Sequence, residues 1–90
     1  MENKERVEKA ESLKSVIDQT KPVTEWGHRC NVWTSLKGDV RVYVNDRKDK
    51  ASAILIVETD GNVTLQSQPG HSMTRHELIA ALKLERKDWR

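Results

Sequence analysis

The chain has few of the residues that build a large hydrophobic core. Its 90 residues include no phenylalanine, aromatic residues make up 4% of it, and hydrophobic residues make up 36%. An average soluble domain is about 45–50% apolar. We therefore expect one α+β domain over residues 1–90, with residues 1–6 frayed, a single modest core, and a homodimer that adds stability.

Cysteine is nearly absent as well. Cys30 is the only one, so no disulfide can form within the chain, and a reducing compartment is favoured. No run of residues is long and apolar enough to span a membrane, and the charged start, Met1 to Glu5, does not resemble a signal peptide. The sequence thus predicts a cytoplasmic protein that does not contact a membrane.

An excess of one charge is also missing. Sixteen basic residues face 14 acidic ones, which gives a net charge of +2. A strong basic field, which by itself would indicate nucleic-acid binding, is therefore excluded. The excess lies between Ser72 and Arg90, and a cluster of this kind near a chain end is most often a solvated surface.

The first segment with a clear pattern is helical. From Glu2 to about Thr20, apolar side chains recur at intervals of three and four residues on an otherwise charged helix. Proline disfavours the helical conformation in the residue before it. Pro22 is therefore predicted to end this helix, and a connector follows up to His28.

A second helix is predicted near the C-terminus. Thr74 with Glu77 three residues later forms a capping-box pattern, and Met73 is placed to pack against Leu78. The apolar stripe of this helix comprises Leu78, Ala81 and Leu82, with Trp89 as a further candidate.

Between the helices lie four runs typical of β-strands, separated by turn residues. They cover Arg29–Leu36, Val40–Asn45, Ala51–Thr59 and Asn62–Gln68. Asp60-Gly61 is a strong signal for a two-residue hairpin loop. Such a loop would place Ile54 and Ile56 on the same sheet face as Val63 and Leu65.

These elements predict an α+β fold: an N-terminal helix, a four-stranded antiparallel meander and a C-terminal helix, with the helices packed on one sheet face. The expected core face of the sheet carries Val40, Val42, Val44, Ile54, Ile56, Val63 and Leu65. An odd-length loop around Gly38 would add Cys30, Val32, Thr34 and Leu36 to that face and turn Trp33 to the other one.

The opposite sheet face is the most informative feature for function. An exposed antiparallel face is normally plainly polar, whereas this one mixes aromatic rings, arginines and amides. In the predicted register it carries Arg29, Asn31, Trp33, Arg41, Tyr43, Asn45, Thr64 and Gln66, with Leu55 and Val57 in the middle. Trp33 and Tyr43 could stack on bases while arginines meet phosphates.

Two other interpretations of this face stay open. Trp, Tyr and Arg are also the preferred anchors of protein interfaces, and a helix or a second subunit could cover the face. The predicted binding residues for nucleic acid or a partner are Arg29, Trp33, Arg41, Tyr43, Asn45, Arg86 and Trp89.

No catalytic residue, metal ligand or cofactor is predicted. His28, Cys30, His71 and His76 are all zinc-binding residue types, but their spacing lacks the close pairs of structural zinc sites. Nothing in the sequence places a base beside Cys30, and no glycine-rich phosphate loop is present. We therefore expect neither an enzyme nor a small-molecule substrate.

The function that the sequence favours is a small non-enzymatic binding module, acting as a homodimer, that holds single-stranded nucleic acid on the aromatic and arginine-bearing sheet face. The alternative is a protein-interaction regulator, or a stoichiometric inhibitor of a larger protein machine.

Overall fold

A computed structural model describes residues 2–67 and 72–88 of the chain. It confirms the predicted α+β fold, an N-terminal helix followed by four antiparallel strands and a C-terminal helix. The elements in chain order are α1 (Asn3–Ile17), α2 (Lys21–Thr24), β1 (Arg29–Thr34), β2 (Val40–Asn45), β3 (Ala51–Val57), β4 (Val63–Ser67), α3 (Ser72–Leu82) and a 3-10 helix (Arg86–Asp88).

The sheet is a simple meander in the order β1-β2-β3-β4, and helices α1 and α3 pack on one of its faces. Helix α1 lies mainly over β1 and β2, whereas α3 contacts β3 and β4. Alternate strand residues point into the layer between sheet and helices. The buried apolar side chains of this core are Ala10, Ile17, Cys30, Val40, Val42, Val44, Ala53, Leu55, Val57, Val63, Leu65 and Leu78.

All three hairpins are closed by the same type of loop. The N–H groups of Ser35, Asp46 and Glu58 donate to the carbonyl oxygens four residues later, at Asp39, Lys50 and Asn62. The third residue of each three-residue loop has a positive φ: Gly38 (90°), Asp49 (64°) and Gly61 (90°). This is the hairpin in which a type I turn is followed by a residue in the left-handed region.

The predicted two-residue loop at Asp60-Gly61 is therefore wrong. The loop also includes Thr59, and the last strand pair is Val57 with Val63. Glycine is still favoured at position 61, because the residue that closes the longer loop there is in the left-handed region.

A β-bulge then decides which side chains of β3 reach the core. Asn45 pairs with Ala51 but Val44 pairs with Ala53, which leaves Ser52 as the extra residue. Its hydroxyl donates to the Val44 carbonyl oxygen at 3.0 Å. A bulge shifts the register by one residue and so exchanges the two faces of the strand beyond it.

The exchange corrects the predicted core. Leu55 and Val57 are fully buried, whereas Ile54 and Ile56 lie half-buried on the opposite face. The predicted positions of Val40, Val42, Val44, Val63 and Leu65 in the core are confirmed.

The first hairpin has the expected odd-length loop. Cys30 is buried, Val32 packs against the core, and Trp33 points to the other face beside Arg41. Leu36 does not join the core, because it lies in the loop itself with its side chain fully exposed.

The helix ends differ from the prediction. Helix α1 stops at Ile17, and Pro22 lies in the first turn of the short helix α2 instead of terminating α1. Proline is tolerated there because first-turn N–H groups have no intrahelical acceptor. Helix α3 starts at Ser72, so Thr74 lies inside the helix, and Met73 is 67% exposed instead of packing on Leu78.

Arg6 ties helix α1 to the loop end of the sheet. Its side chain is only 8% exposed. The Nε and Nη2 atoms donate to the Val57 carbonyl oxygen at 3.2 and 2.8 Å, and Nη1 donates to the Gly38 carbonyl oxygen at 2.7 Å. Nearby, Lys9 Nζ donates to the Gly61 carbonyl oxygen at 2.6 Å. One helix thereby holds two hairpins in place.

Replacing Arg6 should therefore destabilise the whole domain. We expect Arg6→Ala to lower the free energy of unfolding by about 2–3 kcal/mol, because buried charge-assisted hydrogen bonds to two hairpins are lost. The measurement is urea unfolding followed by circular dichroism. Lys4→Ala, an exposed change in the same helix, is the control and should alter stability little. Equal effects of the two changes would contradict this role of Arg6.

A second pair of variants tests the register of β3. Leu55→Ala should cost about 2–5 kcal/mol, because it opens a cavity in the core. Ile56→Ala removes a half-buried side chain from the other face and should cost about 1 kcal/mol. The free energy of unfolding of both variants is measured in the same way, and the reverse ranking would contradict the bulge at Ser52.

Candidate functional site

The sheet face turned away from α1 and α3, here called the open face, carries eleven side chains. None of them is buried: those from β1 are exposed and the others are half-buried. The eleven residues are Arg29, Asn31, Trp33, Arg41, Tyr43, Asn45, Ala51, Ile54, Ile56, Thr64 and Gln66.

Three of these side chains contact one another and form an aromatic–arginine cluster. The Trp33 and Tyr43 rings meet edge to face, with centroids 6.1 Å apart and an interplanar angle of 89°. The Arg41 guanidinium carbon lies 5.2 Å from the Trp33 ring centroid, a cation–π distance. Trp33 is 41% exposed, so a large part of its ring is available to a ligand.

The backbone explains why the three residues meet. Trp33 and Arg41 are directly paired across β1 and β2, and Tyr43 lies two residues further along β2 on the same face. This placement depends on the three-residue loop at Gly38, because a loop of even length would have turned Trp33 into the core.

Arg41 is held by its neighbours but is not fully satisfied. Its Nη1 donates to the Tyr43 hydroxyl at 3.2 Å, and this hydrogen bond is the main cause that raises the pKa of Arg41 above its ordinary value. Within residues 2–67 and 72–88, the buried Nε has no hydrogen-bond acceptor. A ligand oxygen that drew the guanidinium toward it could satisfy this donor.

The remaining predicted residues on β1 and β2 extend the cluster along these strands. Arg29 is paired with Asn45, and Asn31 is paired with Tyr43. Paired side chains on one face lie about 4.5–5.5 Å apart at their Cβ atoms. Two arginines, two rings and two amides therefore occupy three adjacent rows.

The charge on the strands is of one sign. All 14 acidic residues of the chain lie outside the four strands, which contain two arginines, Arg29 and Arg41. Both arginines lie on the open face. Glu58 lies just beyond β3, where its carboxylate accepts a hydrogen bond from the Thr64 hydroxyl at 3.1 Å. The positive charge of the open face is therefore concentrated on β1 and β2, while the Glu58 carboxylate lies at the β3–β4 side.

Two open-face residues were missed from the sequence. Ile54 and Ile56 form the aliphatic middle of the face, where Leu55 and Val57 were expected. The alternation of apolar residues in β3 is compatible with either set. The only sequence feature that favours Ile54 and Ile56 on this face is the one extra residue between Asn45 and the apolar run.

Arg86 lies on a different element from the cluster. Arg86 begins the 3-10 helix, which contacts β4 at the far edge of the sheet from Trp33. Three strand spacings, about 14 Å, separate the two edges. Trp89 lies outside the described residues.

The zinc-type residues are not assembled by the described part of the fold. No group of three or more His, Cys, Asp or Glu side chains suitable for a metal ion occurs in residues 2–67 and 72–88; His71 is not among these residues. His28 instead meets the Trp26 ring edge to face, with centroids 6.1 Å apart.

An acidic groove lies between the β3–β4 hairpin and the 3-10 helix. Carboxylates of Glu58, Asp60 and Asp88 line it together with Lys87. Asp60 is already engaged, because its oxygens accept hydrogen bonds from the Asn62 backbone N–H and side-chain amide. The groove therefore gives no indication of a reaction.

Cys30 is placed as a core residue. Its side chain is 6% exposed, and burial raises the pKa of its thiol from 9.0 to about 12, with Asp18 adding to the rise and Lys14 opposing it. A thiol with such a pKa is protonated at neutral pH and is a poor nucleophile.

This placement predicts slow thiol chemistry in the folded protein. At pH 9 half of the Cys30 thiols are ionised in the unfolded chain, but only about a thousandth are ionised in the folded protein. Iodoacetamide should therefore react far more slowly with native protein than with urea-unfolded protein. Because the folded pKa is raised, the contribution of the protonated thiol to stability is complete below pH 9 and is lost as the pH rises through 12. Fast alkylation of native protein at pH 8 would contradict the burial.

None of the helices in the described ranges is long and apolar enough to cross a membrane. Comparison with known proteins found no protein-family model, no curated protein and no solved structure that matches the chain.

Proposed function

We propose that the protein is a non-enzymatic binding module that acts as a cytoplasmic homodimer and holds single-stranded nucleic acid on the open face. The observation that carries this proposal is the exposed aromatic–arginine cluster of Trp33, Arg41 and Tyr43 on a sheet face whose strands contain no acidic residue.

Stacking supplies the first part of the interaction. Single-strand-binding proteins combine aromatic side chains, on which bases stack, with a positive surface that follows the phosphates. Trp33 is the most exposed ring of the cluster, and Tyr43 braces it edge-on. A base stacked on Trp33 would add to the cation–π contact that Arg41 already makes with that ring.

The arginines supply the second part. Arg29 and Arg41 lie on neighbouring strands of the open face. Both can donate to phosphate oxygens, and the unpaired Nε of Arg41 gains an acceptor in that event. The β2–β3 loop beyond Arg29 adds Arg47, Lys48 and Lys50, although Asp46 and Asp49 balance part of that charge.

Amides supply the third part. Asn31, Asn45 and Gln66 lie on the open face with exposed or half-buried side chains. Amide groups can pair with the edges of unstacked bases, both as donors and as acceptors. They would give the surface a mild base preference in addition to its affinity for the backbone.

A protein ligand is the second candidate, and Ile54 and Ile56 favour it. These aliphatic side chains lie in the middle of the open face, where stacked bases gain little from them. A protein interface uses an apolar centre with aromatic and arginine anchors around it. In this case the chain would act as a regulator or a stoichiometric inhibitor of its partner.

The deciding experiment is a titration of fluorescein-labelled random single-stranded DNA and RNA, followed by anisotropy at low and physiological salt. We expect saturable binding that weakens with salt, because phosphate contacts release counterions. Trp33→Ala should raise Kd by about 5- to 150-fold, the loss of one base stack. Arg41→Ala should reduce the slope of log Kd against log salt by about 0.7.

Lys4→Ala is the matched control, because it removes the same charge from an exposed position of helix α1 and should leave the slope unchanged. A variant with Trp26→Phe and Trp89→Phe retains Trp33 as its only tryptophan, and nucleic acid should quench its fluorescence. Binding that ignores salt, or that survives Trp33→Ala unchanged, would refute the nucleic-acid proposal. Absence of binding at physiological salt would leave the protein ligand as the better candidate.

A further inference from the structure

Each edge strand of the sheet has a short helical segment near it. The 3-10 helix contacts β4, and α2 contacts β1. Strand β1 has β2 on one side, and on its other side no strand of residues 2–67 and 72–88 pairs with it. An uncovered edge strand offers a row of backbone donors and acceptors to another strand. Strand β1 contains no proline, bulge or acidic residue that would discourage such pairing.

The hydrogen-bond pattern shows which groups face outward. Ser35 and Asp39 form the bonded pair that closes the first hairpin. Bonded and non-bonded pairs alternate along an antiparallel ladder. Counting back from Ser35, the pairs made by Thr34, Val32 and Cys30 are the non-bonded ones. The N–H and C=O groups of these three residues therefore point away from β2.

We infer that two copies of the chain pair through β1, antiparallel and centred on Val32. In this register Val32 lies opposite Val32 of the second copy, and Cys30 lies opposite its Thr34. All the outward-facing N–H and C=O groups of the three residues then find partners in the other copy. Because the register is symmetric, both copies use the same edge and the contact closes as a dimer.

The side chains agree with a second copy as the occupant. Even-numbered residues of one β1 meet even-numbered residues of the other, so core side meets core side and open face meets open face. Val32 is only half-buried, whereas Val42 and Val44 beside it on β2 are fully buried. A second β1 would complete the burial of Val32.

Charge also permits this pairing. Arg29 is the one charged residue of β1, and it would lie opposite Ser35 of the second copy. No like charges therefore face each other across the seam.

The pairing would join two open faces into one eight-stranded surface. Asn31 of each copy would lie beside Trp33 of the other, so the two aromatic–arginine clusters would flank the two-fold axis. The effect of pairing on ligand binding rests on the proposed function. The pairing itself is argued from strand β1 alone, and it is tested without any nucleic acid.

The test is sedimentation equilibrium of the wild-type chain and of Thr34→Pro, with Thr34→Val as the control. The wild-type mass should approach twice 10.4 kDa as concentration rises. Thr34 has an outward-facing N–H, so proline removes a seam donor without removing a bond to β2. We expect Thr34→Pro to weaken the dimer about tenfold or more, and Thr34→Val to dimerise as the wild type does.

Amide hydrogen exchange of the wild-type chain gives an answer even if Thr34→Pro fails to fold. The amides of Cys30, Val32 and Thr34 should become more protected as concentration rises, whereas exposed amides of the β2–β3 loop should not. A mass that stays at 10.4 kDa at every concentration overturns the inference. A dimer in which these three amides exchange rapidly overturns it as well, because the contact would then lie elsewhere.

Discussion

The length of the hairpin loops, together with one bulge, determines which side chain faces which way in this protein. The same three-residue loop closes all three hairpins, with Gly38, Asp49 and Gly61 in the left-handed region. Ser52 then adds one residue to β3. If Ser52 paired regularly with Val44 instead of forming a bulge, Ile54 and Ile56 would fill the core and Leu55 and Val57 would lie outside. Because a single-residue slip exchanges the two faces of a strand, both the core and the open face depend on these local choices.

The registration of the sheet is reinforced from the helical layer by Arg6. Its guanidinium bonds to backbone carbonyls of Val57 and Gly38, so it joins the end of β3 to the loop between β1 and β2. A chain with 36% hydrophobic residues fills only one layer between sheet and helices. Hydrogen bonds from a buried arginine add the stability that further apolar contacts would give in a larger domain. The same scarcity leaves the second sheet face without a covering element among the described residues.

Much of this arrangement could be predicted from the sequence, and the rest could not for identifiable reasons. The alternation in Val40–Asn45 fixed the core side of β2, and Gly38 indicated the odd loop that turns Trp33 outward. The cluster of Trp33, Arg41 and Tyr43 followed from those two features. The faces of β3 were predicted wrongly, because Asp60-Gly61 is also compatible with a shorter loop and a bulge at Ser52 has no distinctive residue. Arg6 was overlooked, since a single arginine in a charged helix resembles its solvated neighbours.

The distribution of acidic residues connects the fold to the proposed ligand. Asp and Glu occupy helices and loops, where they cap turns or form pairs such as Lys14 with Asp18, and they are absent from every strand. In a chain that is one-sixth acidic by count, arginines are thus the only charged residues within the strands, and the Glu58 carboxylate meets the open face only at Thr64. Exposure of Trp33 beside half-buried isoleucines costs solvation free energy in the free protein. A ligand that stacks on the ring and neutralises the arginines would recover that cost. A purely structural role for the face would instead favour a polar surface, as on other antiparallel sheets that have one face exposed to water.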